Sequence, residues 1–597
     1  MMPIRLILLA ALSVADLSVA AAQQPFQVDE TTIAATHAAL RAGKTTCRQL
    51  AQTYLQRIAA YDQTTHLNTV VLLNPTVLAD ADKLDRDFKQ THTLKPLQCI
   101  AVVVKDNYDT AGLQTTAGSL AMKGVIPTTD AFMVARIRAA GALILFKSNM
   151  AEWAFSPVLS ESSIAGVTRN PYALDRVPAG SSGGTGASVA ANLAEVGLGT
   201  DTGDSIRGPA SHNMLVGIRP TIGLTSRDGI VPLNMMADVG GPLARTVADA
   251  AAVLSVVAGY DPADPVTELA KTHAEPDYTK FLNKDGLKGV KLGVFRPYLD
   301  AATGDPEIKA LTEKALADLK AQGAILVDPL VIPNFDALTK TIGCGDFQKD
   351  LNEYLAVHAP TSQYKSLSAI IDSGLYLPSI ETRLKRAADP KNYDGTPRVP
   401  CQDTWHDPQK IAFRNAVLAA MDAAGVDAIL YPTWSNPPRL VGDLKSPGGD
   451  NNQVIAPMTG MPAITVPMGF THGTLPAGLQ FLGRPFAEPT LIRLAYAYEQ
   501  ATHHRHPPKL FHPFSNPTSS TDRRHSTEGR HSTEGRHSTE GRHSTEGRHS
   551  TEGRHSTDRR HSTDRRHSGA ARISVLALAV ACPCLGCCRC LGCCRCS

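Results

Sequence analysis

Short apolar runs separated by helical stretches are the feature that most constrains how this chain folds. Cys99–Val104 and Ala142–Phe146 are brief, aliphatic and sharply bounded, as buried strands are. Phe132–Ala140, between them, reads as a helix. Further strand candidates are Glu195–Gly199, Val290–Phe295, Ala324–Val327, Ala428–Tyr431, Ala463–Val466 and Leu479–Leu482. Helix candidates are Ala187–Ala194, Pro306–Gln322, Pro408–Ala424 and Pro489–Ala501. Val28–Tyr61 also reads as helical, with a break at Gly43-Lys44-Thr45 and apolar Leu50, Tyr54, Leu55 and Ile58 at helical spacing. Strands and helices that alternate in this way build an α/β layered body. The rhythm holds to about Pro508 and then stops.

Beyond that point the sequence is different in kind. Arg-His-Ser-Thr-Glu-Gly recurs every six residues from Arg524 and drifts to Arg-His-Ser-Thr-Asp-Arg after Arg554. A segment without apolar residues has no core to bury, so residues 513–572 are expected to be a disordered, low-complexity tail. Residues 573–597 form a Cys-rich low-complexity end, with eight cysteines between Cys582 and Cys596. Thiol density of this kind suits soft metals, but the run has no histidine and no supporting shell. The tail reads as low-complexity sequence without a working role. Ser515–Ser597 carries 14 Arg and 8 acidic residues of the chain's 59 Lys+Arg and 56 Asp+Glu, which leaves 45 basic against 48 acidic groups in Met1–Phe514. A mildly acidic body gives no reason to expect a nucleic-acid partner.

The first residues read as a signal peptide, 1–22. Arg5 supplies a positive start, Leu6–Val14 an apolar stretch, and Ala20-Ala21-Ala22 a small-residue cleavage site. The apolar run is much too short to span a bilayer, and no other stretch reads as a stable membrane span. The expectation is export, to a periplasm or the medium. Four cysteines remain in the body: Cys47, Cys99, Cys344 and Cys401. An exported chain can join them as two disulfides in three ways. Proximity in sequence favours Cys47–Cys99 and Cys344–Cys401, and four buried free thiols fit equally well.

Two Gly-rich loops carry the chemistry. The first is Gly180-Ser181-Ser182-Gly183-Gly184. The second is Gly199-Thr200-Asp201-Thr202-Gly203-Asp204-Ser205-Ile206-Arg207. Glycine lets a backbone approach a ligand closely, and successive N–H groups in such a loop converge on an anion. Acyl transfer needs that arrangement to stabilise a tetrahedral oxyanion. A serine nucleophile also needs a base. Lys105 ends the apolar run Ile100–Val104, where burial lowers a lysine's pKa. Each of these residues taken alone is an ordinary turn serine or strand-end lysine. Two other motifs fail on context. Gly180-x-Ser182-x-Gly184 matches a nucleophile elbow, but Pro178 argues against the strand that must lead into it. Gly43-Lys44-Thr45 lacks the upstream glycine of a phosphate loop, because position 38 is Ala. His503, His504 and His506 read as a solvated helix end, no HExxH is present, and no metal site is expected.

Val104-Lys105-Asp106-Asn107, the Gly-Ser-Ser-Gly-Gly loop and Gly-Thr-Asp-Thr-Gly-Asp-Ser-Ile-Arg together resemble the amidase signature family, with 24 residues from Ser181 to Ser205 as in that family. The resemblance runs from about Thr31 to Pro508. It takes in Gly217-Ile218-Arg219-Pro220-Thr221, Gly240-Gly241-Pro242-Leu243-Ala244-Arg245-Thr246 and Gly478-Leu479-Gln480. It implies a single large α/β domain, 23–512, around a central mixed twisted sheet covered by helices. It implies hydrolysis of a small-molecule or peptide amide to the acid and ammonia or amine, through a serine acyl-enzyme and without metal or cofactor. In that scheme Ser205 is the nucleophile, Ser181 the relay and neutral Lys105 the base. The backbone N–H groups of Thr202, Gly203, Asp204 and Ser205 form the oxyanion hole, and Asp201 and Arg207 brace the loop.

One residue departs from the pattern. Position 204 is Asp where the family usually has Gly, and an inward-facing carboxylate would oppose an oxyanion. The backbone N–H at 204 survives, so activity is expected to be kept, but Asp204 motivates one alternative, an inactive binding protein of the same fold; a separate alternative is an esterase or other acyl-transfer relative. The leader argues against a dedicated role in a complex that acts on aminoacyl-tRNA. The family's amide classes leave the substrate open, with Met235-Met236-Ala237-Asp238 and the region Leu330–Leu384 expected to shape the acyl pocket. Oligomeric state is not readable from the chain.

Overall fold

A computed structural model describes residues 26–340, 344–391 and 400–513. The leader 1–22 and, beyond Pro513, the repeat tail and Cys-rich end lie outside the described residues. The strands are β1 (Val70–Leu73), β2 (Ala101–Lys105), β3 (Leu143–Ser148), β4 (Glu161–Ser162), β5 (Gly166–Val167), β6 (Val196–Asp201), β7 (Val216–Arg219), β8 (Val239–Ala244), β9 (Lys291–Val294), β10 (Ile325–Val327), β11 (Ala428–Pro432), β12 (Ala463–Thr471) and β13 (Leu475–Leu482). Eleven of them form one sheet, in the order β1-β3-β2-β6-β8-β7-β12-β13-β11-β9-β10, while β4 and β5 pair separately. β2 runs parallel to β3 and β6, and β9 parallel to β10 and β11; the strands between β6 and β11 pair antiparallel. The sheet is therefore mixed, within a single α/β domain.

Both faces of the sheet are covered, which is why its strands read as unbroken apolar runs. Val102 and Val104 of β2 point into one cluster, with Ile144, Val196 and Leu198. Ala101 and Val103 point into the other, with Leu145 and Val189. This alternation carries Lys105 to the carboxyl end of β2, opposite Ser148 on β3. Open α/β sheets bind ligands outside such ends.

Local chemistry explains where several elements begin. The first helical stretch breaks as its sequence indicates, into Ile33–Arg41 and Cys47–Tyr61. Thr46 restarts it with a capping box: Gln49 N–H donates to Thr46 Oγ1 and Thr46 N–H to Gln49 Oε1. The helix expected at Ala187–Ala194 instead runs Gly183–Ala190. Its glycines suggested loop because glycine is a poor helix former, yet they serve packing. A Cβ on Gly184 would lie 2.2 Å from the Asn149 carbonyl oxygen. Gly197 of β6 faces the same helix, and a Cβ there would lie 2.4 Å from Thr185 Cγ2. Both body disulfides are present, Cys47–Cys99 and Cys344–Cys401.

Candidate active site

Lys105, at the end of β2, is fully buried. Its Nζ donates to Ser181 Oγ and to Thr200 Oγ1, both at 2.7 Å. Asn107 Nδ2 donates to the same threonine oxygen at 3.1 Å. Burial lowers the Lys105 pKa to about 7, although Asp238 and Asp201 pull it back up. A second buried lysine, Lys147 on β3, is differently employed. It donates to the Tyr108 carbonyl at 2.7 Å and lies 3.4 Å from Asp106. Of the two, only Lys105 reaches the serine loops.

Ser181 follows a cis peptide bond from Gly180. Its carbonyl accepts from Ala151 N–H at 3.1 Å. Ser160, which belongs to no motif and was not legible as a site residue, anchors this loop: its Oγ donates to the Ala179 carbonyl at 3.0 Å and accepts from Gly183 N–H at 2.9 Å. Ser182 Oγ donates across to the Thr200 carbonyl at 3.3 Å and so ties the two loops together. Pro178–Ser181 is not a strand, so the nucleophile-elbow reading falls.

The second loop leaves β6 at Asp201 and turns into the short helix Arg207–His212. Among the described residues, no hydrogen bond uses the backbone N–H of Thr202, Gly203, Asp204 or Ser205. All four residues line one cleft of about 530 Å³, and Ser205 is 5% exposed. The turn is held from behind. Asp201 accepts from Arg207 Nε at 3.0 Å, Arg219 Nη1 at 2.8 Å and Ile206 N–H at 3.2 Å. Burial alone would raise the Asp201 pKa; Arg207 and Arg219 outweigh it and hold the carboxyl well below the usual range. Arg207 also donates to Gly203 O at 2.7 Å, Asn452 Oδ1 at 3.1 Å and Gln480 Oε1 at 3.2 Å. Thr202 Oγ1 donates to Asp238 Oδ1 at 2.5 Å.

The structure therefore brings Lys105 and Ser181 into direct contact and sets Ser205 beside the open N–H groups. No hydrogen bond joins the Ser181 and Ser205 hydroxyls among the described residues. Asp201 and Arg207 bond each other behind the loop, Arg207 also bonds Gly203, and Arg219 joins them on Asp201. Asp204 does not enter the cleft with its carboxyl, which is buried and accepts from Asn452 Nδ2 at 2.6 Å. The other walls are Phe155, Phe347, Leu233, Met458, Asn234, Ala237, Gln453, Arg383 and Arg386 among others. Of the segments expected to shape the pocket, Ala237, Gly345, Phe347 and Arg383 do line it. Met235 and Met236 line a separate cavity, and Leu330 is packed in a core cluster.

The sequence model of the Amidase family matches residues 49–492. A probable amidase of Arabidopsis thaliana is 34% identical over 500 residues, which cover 81% of this chain and 92% of that protein. A glutamyl-tRNA(Gln) amidotransferase subunit of Symbiobacterium thermophilum is 35% identical over 495 residues, covering 79% and 96%. Among solved structures, native peptide amidase from Stenotrophomonas maltophilia is similar with a TM-score of 0.73 and 38% identity over 81% of this chain and 99% of that one. The peptide amidase PAM in complex with the competitive inhibitor chymostatin gives 0.71 and 38%, covering 80% and 99%.

Proposed function

This chain belongs to the amidase signature family and hydrolyses the C–N bond of carboxylic amides, and we propose that Ser205, Ser181 and Lys105 carry that reaction. The observation behind the assignment is the 2.7 Å contact between a buried lysine, its pKa lowered to about 7, and the relay serine. Neutral Lys105 takes the Ser181 proton as Ser181 takes that of Ser205. Ser205 Oγ attacks the amide carbonyl, and the N–H groups of residues 202–205 stabilise the oxyanion. Lysinium returns the proton through Ser181 to the leaving nitrogen, the C–N bond breaks, and an acyl-Ser205 remains. Water then attacks by the same relay and releases the acid. The catalytic domain is residues 23–512.

The substrate we assign is the terminal amide of a peptide. A cleft with both aromatic and cationic walls supports this, as does similarity to a peptide amidase. Ammonia release from C-terminally amidated peptides, fatty amides and aryl amides tests it. Amidated peptides should be turned over fastest, with a loss of about 10³-fold or more in Ser205→Ala. Turnover of fatty or aryl amides alone would refute the peptide assignment. We also assign the protein to an exported compartment. The leader-like start and two body disulfides support this. Native protein should begin near Gln23, and an N-terminus at Met1 would count against export.

A further inference from the structure

The residue that departs from the family pattern has a defined place in the fold. The Asp204 carboxyl lies over Gly208: a Cβ on Gly208 would sit 2.0 Å from Oδ2, 2.3 Å from Oδ1 and 2.4 Å from Cγ. With the Asp204 carboxyl in this position, residue 208 has no room for a side chain. One residue beyond the turn, the Gly208 N–H donates to the Asp204 carbonyl at 2.8 Å, so backbone and side chain engage the same neighbour. On its far side the carboxyl meets Asn452. Asn452 Nδ2 donates to Asp204 Oδ1 at 2.6 Å, to the Thr433 carbonyl at 3.0 Å and to Asp450 Oδ1 at 3.1 Å. The amide oxygen of Asn452 accepts from Arg207. Asp450 Oδ2 accepts from Gln453 Nε2 at 2.6 Å, and the Gln453 amide packs against Gly203 at the cleft. Thus the segment 450–453 grips the oxyanion loop at Gly203, Asp204 and Arg207 from one side.

We propose that Asp204 is a positioning residue of the oxyanion loop, acting as a neutral acid wedged between Gly208 and Asn452. This rests on the reading of Ser205 as nucleophile. The charged groups that face Asp204 are Asp450, Asp201 and Arg207. Among the described residues, the hydrogen bonds of the Arg207 side chain go to Asp201, Gly203, Asn452 and Gln480, and none to Asp204. Among the described residues, Asp204 Oδ2 is buried without a hydrogen-bond partner. A buried carboxylate without a bonded cation is costly, and protonation removes that cost. Burial, with Asp450 and Asp201 nearby, accordingly pushes the carboxyl well above the usual range. A neutral side chain turned from the cleft leaves the Asp204 N–H free for an oxyanion without placing a negative charge beside it. The departure at 204 is on this account compatible with catalysis, and the glycine at 208 is its compensation.

The test is four variants: Asp204→Asn, Asp204→Gly, Gly208→Ala, and Asp204→Gly combined with Gly208→Ala. Each is assayed for kcat and KM on an amidated peptide and for inhibition by a peptide aldehyde, with thermal melting alongside. Asparagine keeps the shape and the neutrality, so Asp204→Asn should lose only about threefold in kcat while Asp204→Gly loses about tenfold. Gly208→Ala should lose about fiftyfold in kcat and in aldehyde affinity, with KM within about threefold, because a displaced loop harms the tetrahedral state most. Removing the carboxyl in the double variant should recover about fivefold of that loss. An Asp204→Asn variant as impaired as Asp204→Gly would overturn the neutral-acid role. A double variant no better than Gly208→Ala would overturn the wedge. If Ser205→Ala keeps wild-type turnover, the nucleophile assignment fails instead.

Discussion

At the scale of single residues the account turns on the protonation state of Lys105. The amine must be neutral to accept a proton, and burial puts its pKa at about 7. Measured kcat/KM should therefore rise with pH through about 7 and level off above it, since this profile reports the free enzyme. The same shift has a stability consequence of definite sign. A lysine whose folded pKa is depressed binds fewer protons in the native state than in the unfolded one between about pH 7 and its ordinary 10.5, so stability rises with pH across that window. Lys105→Met should be inactive and should lose that part of the pH dependence in urea melts at several pH values. Ser181 and Ser205 stood out in the sequence because their loops are local and rich in glycine, and Lys105 because it ends an apolar run. Asn452 did not, as it reaches Arg207 from 245 residues away and lies in no motif; Gln480 lies in a recognised segment, but its contact with Arg207 spans 273 residues and only the fold shows it. Arg219 sat within a recognised segment, yet only the fold shows it on Asp201.

At the scale of elements, the relay serine stands where it does because helix Gly183–Ala190 lies tight on β2 and β6. Gly197 permits that approach, its Cβ position being 2.4 Å from Thr185 Cγ2 and 2.9 Å from Val103 Cγ1. Gly197→Ala should cost about 1–3 kcal/mol from overpacking and lower kcat by tilting the start of the helix. Chemical denaturation and steady-state kinetics on the same preparation check both. Two of the legible strands, β2 and β3, are unbroken apolar runs up to a terminal Lys or Lys-Ser. β1, β7 and β8 were missed, the last because it carries both Gly and Pro. β8 reads Val-Gly-Gly-Pro-Leu-Ala, and its Pro242 pairs with Leu198 inside the sheet. β12 and β13 extend past their apolar ends, because Pro467 and Pro476 interrupt the pattern that marks a strand. In each case tertiary pairing overrides local preference.

At the scale of the whole molecule, the alternation of short strands and helices indicated the α/β class, and the family resemblance supplied the single mixed sheet that pattern alone does not specify. Every residue assigned to the site lies between Lys105 and Gln480, within the span that the amidase family model matches. A chain ending at Pro513 should hydrolyse amides with kcat and KM equal to those of the full-length protein. A large loss on truncation would show that the tail has a role the site does not account for. The central claim is that Ser205 is the nucleophile, and covalent labelling tests it most directly. Treatment with a fluorophosphonate, followed by peptide mapping, should place one adduct on Ser205 and none in Lys105→Met at neutral pH. An adduct on Ser181 or Ser182, or no adduct on an enzyme that turns over amides, would contradict it.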